Sequence, residues 1–379
     1  MIDVTPIDPK RFRAEVRQFV EKEIYPYAAE WDAKEEFPWG PVKEMGRRGY
    51  LGIFVPKEYG GMGLDYLPYA IASEEAARGC GSCGVIVSVN NSLACFPVKT
   101  YGSEEQKRKF LTPMARGDQL GCFALTEPNA GSDPVMMSTL AKRSGDEYII
   151  SGTKRFITTG ANSRIAIVFA KTSPELKHKG LSTFIVDKEE AGVKIDKKED
   201  KIGIRASDTA ELVFDDVRIP KENLLGNEGD GFKIAMDTLD CGRIGIGAQA
   251  VGIAQRALEE SLAYAKTRVQ FGQPIGKQQA IATYLADMAT QIEAARLLIY
   301  KACQVRNSGA RSSVASAMAK LFASDISMQC TITACQIMGS EGVNEARVAS
   351  RLMRDAKITQ IYEGTNEIMR LVISGALIK

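Results

Sequence analysis

The stretch QIYEGTNEIMR, residues 360–370, sets Glu363 between Tyr362 and Gly364, immediately before the last apolar run of the chain. A carboxylate in such company is a candidate general base, because desolvation lifts its pKa from ~4.3 toward neutral pH. The competing reading is an ordinary acid on a solvated loop. Other proton chemistry is scarce. His178, the single histidine, sits in the polar stretch SPELKHKG, which leaves no histidine pair for zinc and no Ser-His-Asp constellation. Catalysis must then come from carboxylates, tyrosines, lysines or a cofactor, and no metal centre is expected.

A second chemical stretch is LTEPNAGSD, residues 125–133, with Pro128, Asn129, Gly131 and Ser132 in a turn-rich setting. Backbone N–H groups and hydroxyls free of a strand ladder can bond a polar ring or an anion. GCGSCG at 79–84 imitates a dinucleotide fingerprint and contains a C-x-x-C. The segment before it, LPYAIASEEAAR, reads as a helix where that fingerprint needs a strand, and a lone C-x-x-C lacks a second pair for zinc. These glycines are expected to let helices, or a helix and a ligand, approach closely. GRIGIGAQAVG at 242–252, in an alanine-rich helical run, reads as another close-packing seam.

The elements that must position these residues fall into three textures. Residues 8 to about 118 read as helical: Asp8-Pro9 is a helix start, Phe12, Val16, Phe19, Val20 and Ile24 recur at helical spacing, and Ser103 to Gln106 has capping-box form. From near residue 120, EYIISG, RFITTG, RIAIVFAKT, LSTFIVD and AELVFDDVRI are short, β-branched and turn-bounded, as in a small barrel or sandwich. From about Gly231 long alanine- and leucine-rich helical patterns return and call for a bundle. The expected class is α+β, mostly α: a helical domain (1–118), a middle β domain (119–229) and a C-terminal four-helix bundle (230–379) carrying Glu363.

The composition, 45% hydrophobic and 25% charged, with 49 basic against 47 acidic residues, carries no large field pointing to nucleic acid or an anionic membrane. No run is read as approaching the ~18 to 20 apolar residues of a membrane span, and MIDVTPIDPKRF lacks the regions of a signal peptide. The 8 scattered cysteines resemble no disulfide framework, and a cytoplasmic protein is expected.

In order and approximate spacing, LTEPNAGSD, RFITTG, RVQFGQPIGKQQAI (268–281), QIMGSEG (336–342) and QIYEGTNEIMR resemble the acyl-CoA dehydrogenase family of FAD enzymes. The likeness extends over essentially the whole chain, including EFPWGPVKEMGRRGYLGIFVPKEYGGMGLD near its start. The ending IYEGTNEI looks most like members acting on short, branched or cyclic acyl chains.

The resemblance implies that Phe123 to Ser132 line the isoalloxazine, with Leu125, Thr126 and Ser132 in reach of the flavin or the thioester chain. It implies that Phe156, Ile157 and Thr158 lie against the other side of the flavin, Thr158 near its reactive nitrogen. The family commonly has tryptophan where this chain has Phe156. Arg268, Gln270 and Phe271, with Gln279 nearby, fit contacts to the FAD pyrophosphate and adenosine, and a guanidinium forks well onto phosphate. Gln336 and Gly339 are implied to reach FAD from a neighbouring subunit, with Ser340 standing at a usual glycine. A homodimer is then the least that completes a site, and a homotetramer, a dimer of dimers, is the usual arrangement.

Asp240 and Arg243 in DTLDCGR resemble the pair that contacts CoA, or else form a solvated i,i+3 ion pair. Glu363 is implied to abstract the α-proton of the acyl-CoA, its backbone N–H polarising the thioester carbonyl, while Gly364 leaves the thioester unobstructed. Thr365 is read as the cap of the last helix, and Glu367 as a first-turn charge whose backbone touches FAD. Some relatives carry the base just before the arginine of DTLDCGR, where this chain has Gly242. Electrons are expected to pass to an electron-transfer flavoprotein. The alternatives are the reverse reaction, as an enoyl-CoA reductase, and a non-catalytic flavin- or CoA-binding homologue.

Overall fold

The computed structural model describes residues 7–378 of the chain. The reading of the first residues, MIDVTP, as free of a leader lies outside them. The chain runs from helices through a sheet and back to helices, as the three textures predict.

Helix α1 (Pro9–Glu23) starts where Asp8 accepts the Lys10 N–H at 3.0 Å, and its stripe of Phe12, Val16, Phe19 and Val20 is buried. Helix α2 (Tyr66–Gly79), capped by Asp65, and α3 (Gly81–Val89) lie almost wholly in the interior. Helix α3 continues through a π-helical turn, Asn90–Cys95, into Phe96–Tyr101. By length and composition Gly81–Tyr101 is apolar enough to cross a membrane, which the sequence reading overlooked, but its apolar 18-residue window is wholly buried in the fold, as in a core helix of a globular protein. Asn90 and Asn91 on this turn are buried and bonded to backbone groups of a distant loop. Asn91 accepts from Ile53 N–H at 2.8 Å and donates to Tyr50 O at 2.9 Å, and Asn90 donates to Leu51 O at 2.8 Å. Together they pin the 50–53 loop to the helix.

Eight strands form one hydrogen-bonded sheet: β1 (Gly121–Ala124), β2 (Leu140–Ser144), β3 (Glu147–Thr158), β4 (Ile165–Lys171), β5 (Leu181–Asp187), β6 (Lys194–Lys198), β7 (Thr209–Pro220) and β8 (Leu224–Leu225). Their order is β6-β7-β3-β2-β4-β5-β8, with β1 parallel to β4, Cys122 opposite Ala166. The inward residues Tyr148, Ile150, Phe184, Leu212 and Phe214 come from both halves of the sheet and share one core. The ladder of β3 with β7 slips between Lys154 and Ile157, and Phe156 there adopts a left-handed φ of 58°. A bulge re-aims a side chain. Here it leaves Phe156 54% exposed while Ile157 stays in the sheet core.

The C-terminal helices are α4 (Gly231–Thr267), α5 (Gln279–Asn307), α6 (Ser313–Met338), α7 (Val348–Thr359) and α8 (Asn366–Leu377). Helix α4 passes through the middle of the molecule, packed on α2, α3, α5, α6 and α7. Its small residues are a packing seam as read: a Cβ on Gly245 would meet the Tyr69 hydroxyl oxygen at 1.9 Å. GCGSCG opens α3 with α2, a helix, before it, so no dinucleotide-binding βαβ unit exists there, and Cys80 and Cys83 are buried free thiols.

Candidate active site

Glu363 lies in the link between α7 and α8, at the point where that link faces the β domain. Its φ of 53° is left-handed, and Gly364 follows at φ 96°. Three contacts hold this uncommon turn. Arg243, on α4, donates from Nε to the Glu363 carbonyl at 3.3 Å. Lys320, on α6, donates to the Gly364 carbonyl at 2.8 Å. Thr365 caps α8, accepting the Ile368 N–H at 3.4 Å. The Tyr362 hydroxyl donates to Gln249 on α4, which in turn donates to Gly81 O at 2.9 Å.

The turn presents the Glu363 side chain inward. Both carboxylate oxygens are buried, and among the described residues neither has a hydrogen-bond partner. Burial pushes the carboxyl up to about 8, against Arg243 and then Lys320, which pull it down. An unpartnered buried carboxylate is costly and uncommon. Such perturbed groups concentrate at functional sites.

The carboxylate faces a cavity of about 400 Å³. Val89 and Leu93 from the helix of Asn90, and Phe232, Met236 and Leu239 from α4, give it apolar walls. The β domain supplies Phe123, Leu125, Thr126, Ser132, Phe156 and Thr158, so six of the predicted flavin-facing residues meet the predicted base in one chamber. Phe123 is steadied by Phe169 at a ring separation of 4.8 Å. Ile157 does not join them: its side chain is 1% exposed and belongs to the sheet core, so any contact it makes is through its backbone.

Glu127 orders the turn-rich loop of this chamber. It accepts from the backbone and hydroxyl of Thr139, from Ser138, and from Lys154 at 2.8 Å. Burial opposes its ionisation, but Lys154 and these donors outweigh it and hold the carboxyl down at about 2. Lys154, on β3, is pushed down to about 8 by its own burial, which Glu127 offsets in part. The two shifts differ in sense: burial weakens the lysine's charge while the attraction between the partners upholds it, and the carboxylate, with its extra donors, is the firmly charged member.

Asp240 and Arg243 are not the solvated pair considered from sequence. Their ion pair at 2.7 Å is buried, Ser313 donates a further hydrogen bond to Asp240, and both line a second recess beside the main chamber. Arg268, Gln270, Phe271, Gly339 and Ser340 line a separate depression, where Phe271 is 93% exposed. Gln279 starts α5 and Gln336 lies on the exposed face of α6, neither lining either chamber. Glu367 is exposed on α8, its carboxyl held low by its own N–H and by Thr365. Among the described residues no acidic, cysteine or histidine cluster could hold a metal.

The acyl-CoA dehydrogenase N-terminal, middle and C-terminal domain families match residues 8–118, 122–217 and 229–378. The chain belongs to the acyl-CoA dehydrogenase family, FAD-dependent oxidoreductases that act on a CH–CH bond of an acyl-CoA. It is 49% identical over 374 residues to the mitochondrial short-chain specific acyl-CoA dehydrogenase of Bos taurus, covering 99% of this chain and 91% of that one. The structure of butyryl-CoA dehydrogenase from Megasphaera elsdenii superposes with a TM-score of 0.97 at 45% identity, covering 100% of both chains. A glutaryl-CoA dehydrogenase from Mycobacterium smegmatis in complex with FADH2 gives a TM-score of 0.93 at 32% identity, covering 98% of this chain and 95% of that one.

Proposed function

We propose that this chain dehydrogenates a short acyl-CoA to its 2-enoyl-CoA, with Glu363 as the base and FAD as the cofactor. The observation that carries the reading is the pair of buried, unpartnered Glu363 oxygens aimed into a largely apolar chamber. The residues present suit a flavin: Phe156 offers an aromatic face at the chamber, and Thr126, Ser132 and Thr158 line the same space with hydroxyls. When bound, FAD supplies the two-electron acceptor for the hydride that leaves the β-carbon.

Glu363 takes the α-proton, so the α-C–H bond breaks, an O–H bond forms on the carboxylate, and the C–C bond becomes a double bond as the β-hydride departs. Its backbone N–H suits polarisation of the thioester carbonyl, where negative charge develops. Val89, Leu93 and Leu239 exclude water and keep the carboxylate basic. Asp240 and Arg243, lining the neighbouring recess, suit the polar arm of CoA.

The short-chain names of the relatives support a short acyl chain over a branched or cyclic one. The likeness to the family supports an electron-transfer flavoprotein as acceptor and a homotetramer as the assembly. The second depression, with Arg268, Phe271 and Ser340 exposed, supports a partner subunit completing the cofactor site. The buried free thiols support a reducing compartment, the cytoplasm.

The test is an anaerobic visible spectrum of the FAD-loaded protein before and after straight, branched and cyclic acyl-CoAs. Bleaching of the oxidised flavin band by a short straight member is expected. No bleaching by any acyl-CoA overturns the reading, and bleaching by a branched or cyclic member alone overturns the substrate assignment.

A further inference from the structure

Lys320 is a lysine in the middle of α6, within SAMAKLFAS, and it is fully buried. A buried ammonium normally sits on a carboxylate. Here Nζ donates instead to two neutral oxygens, the Gly364 carbonyl at 2.8 Å and the Asn366 side-chain oxygen at 2.9 Å. Asn366 is itself locked in orientation, its amide nitrogen donating to Ser324 at 2.9 Å and Asp325 at 2.7 Å. Lys320 is thus tied to the residues on the C-terminal side of Glu363 without being neutralised by any of them.

We propose, on the strength of the reading of Glu363 as the base, that Lys320 is a positioning residue for it: the ammonium fixes the left-handed Glu363–Gly364 turn and supplies positive charge that favours the ionised form of the unpartnered carboxyl. The charged groups facing Lys320 are Glu363 in the link, Arg243 on α4, Asp325 on its own helix and Glu367 on α8. Burial brings Lys320 down to about 7, and of these groups Glu363 offsets that most. Arg243, the other cation near the base, is occupied by Asp240 at 2.7 Å. Lys320 is therefore the cation with no carboxylate of its own.

The test uses the FAD-loaded protein with Lys320→Gln, which keeps a donor for Gly364 but no charge, and Lys320→Arg, which keeps the charge. The protonated-carboxyl band of Glu363, assigned by its loss in Glu363→Gln, is titrated by infrared difference spectroscopy without substrate. The pH profile of flavin reduction by butyryl-CoA is measured alongside. Lys320→Gln is expected to move both midpoints up by about one pH unit, to slow reduction about tenfold at pH 7 and to recover at high pH. Lys320→Arg is expected to restore the profile.

Asn366→Asp is a second route, needed where Lys320→Gln fails to hold flavin. It hands Lys320 its own carboxylate and is expected to move the same midpoints upward. Unmoved midpoints in the neutral variant, or a loss equal at every pH that arginine does not restore, overturn the proposal. A Glu363→Gln control that reduces flavin at the wild-type rate sinks the base assignment instead, so the two failures are distinguishable.

Discussion

The space that a side chain at Gly242 would fill is the space the Glu363 carboxylate occupies: a Cβ at 242 would lie 2.0 Å from Oε2. Helix α4 thus leaves a notch one residue before Arg243, and the base comes into it from the α7–α8 link. The same position can carry either a base on α4 or the room for one from elsewhere, and never both. That exclusion is steric and follows from this geometry alone.

Gly242→Ala should therefore displace the carboxylate while leaving most of the fold intact. A misplacement of roughly 1 Å costs on the order of 10²-fold in rate. Stopped-flow flavin reduction by a short acyl-CoA checks it, with flavin content as the control. A variant that reduces at the wild-type rate would show that Glu363 does not react from the notch.

The pH dependence of stability carries a definite sign. Burial raises Glu363 from its ordinary value to about 8, so the folded protein holds that proton more tightly than the unfolded chain. The folded state is then favoured most at low pH, and this contribution is lost as pH rises from the ordinary carboxylate range through 8. Glu363→Gln, which cannot ionise, should melt closer to wild type at pH 5 and above it at pH 9 in the cofactor-free protein. Differential scanning calorimetry at the two pH values decides it, and a lower melting temperature for the variant at pH 9 would contradict the buried-carboxylate picture.

Lys154 is predicted to matter for the chamber through Glu127. Lys154→Met leaves that buried carboxylate without its counter-charge, a loss of about 3 kcal/mol when a buried pair is broken from one side. A lowered melting temperature and faster flavin release are expected, and the double variant Lys154→Met/Glu127→Gln should recover part of the loss. Equal stability of the single variant and wild type would mean that the Ser138 and Thr139 donors suffice.

What was legible in the sequence is what local chemistry encodes. Glu363 stood out by its neighbours, and LTEPNAGSD by its turn residues; the structure brings both to one chamber. The helix starts at Asp8 and Ser103 were readable because a cap and its partner lie within three residues. Lys320 was not, since one lysine in an alanine-rich helix looks like a solvated head on an apolar stem, and its partners lie 44 and 46 residues away. Glu127 hid in the same way, its cation being 27 residues on. Asn90 and Asn91 satisfy backbone groups about 40 residues upstream, a pairing no spacing rule reveals. Gln279 and Gln336 were named on the resemblance alone, without a local signal of their own, and the structure leaves both outside the chamber.

The most direct test of the central claim is the anaerobic rate of flavin reduction by butyryl-CoA in Glu363→Gln against wild type, both loaded with FAD. The account predicts an unchanged flavin spectrum and tight substrate binding, with reduction slowed by roughly 10² to 10⁴-fold, the usual weight of a general base. Reduction at the wild-type rate, with the flavin equally bound, would mean that the carboxylate in the notch is not the base.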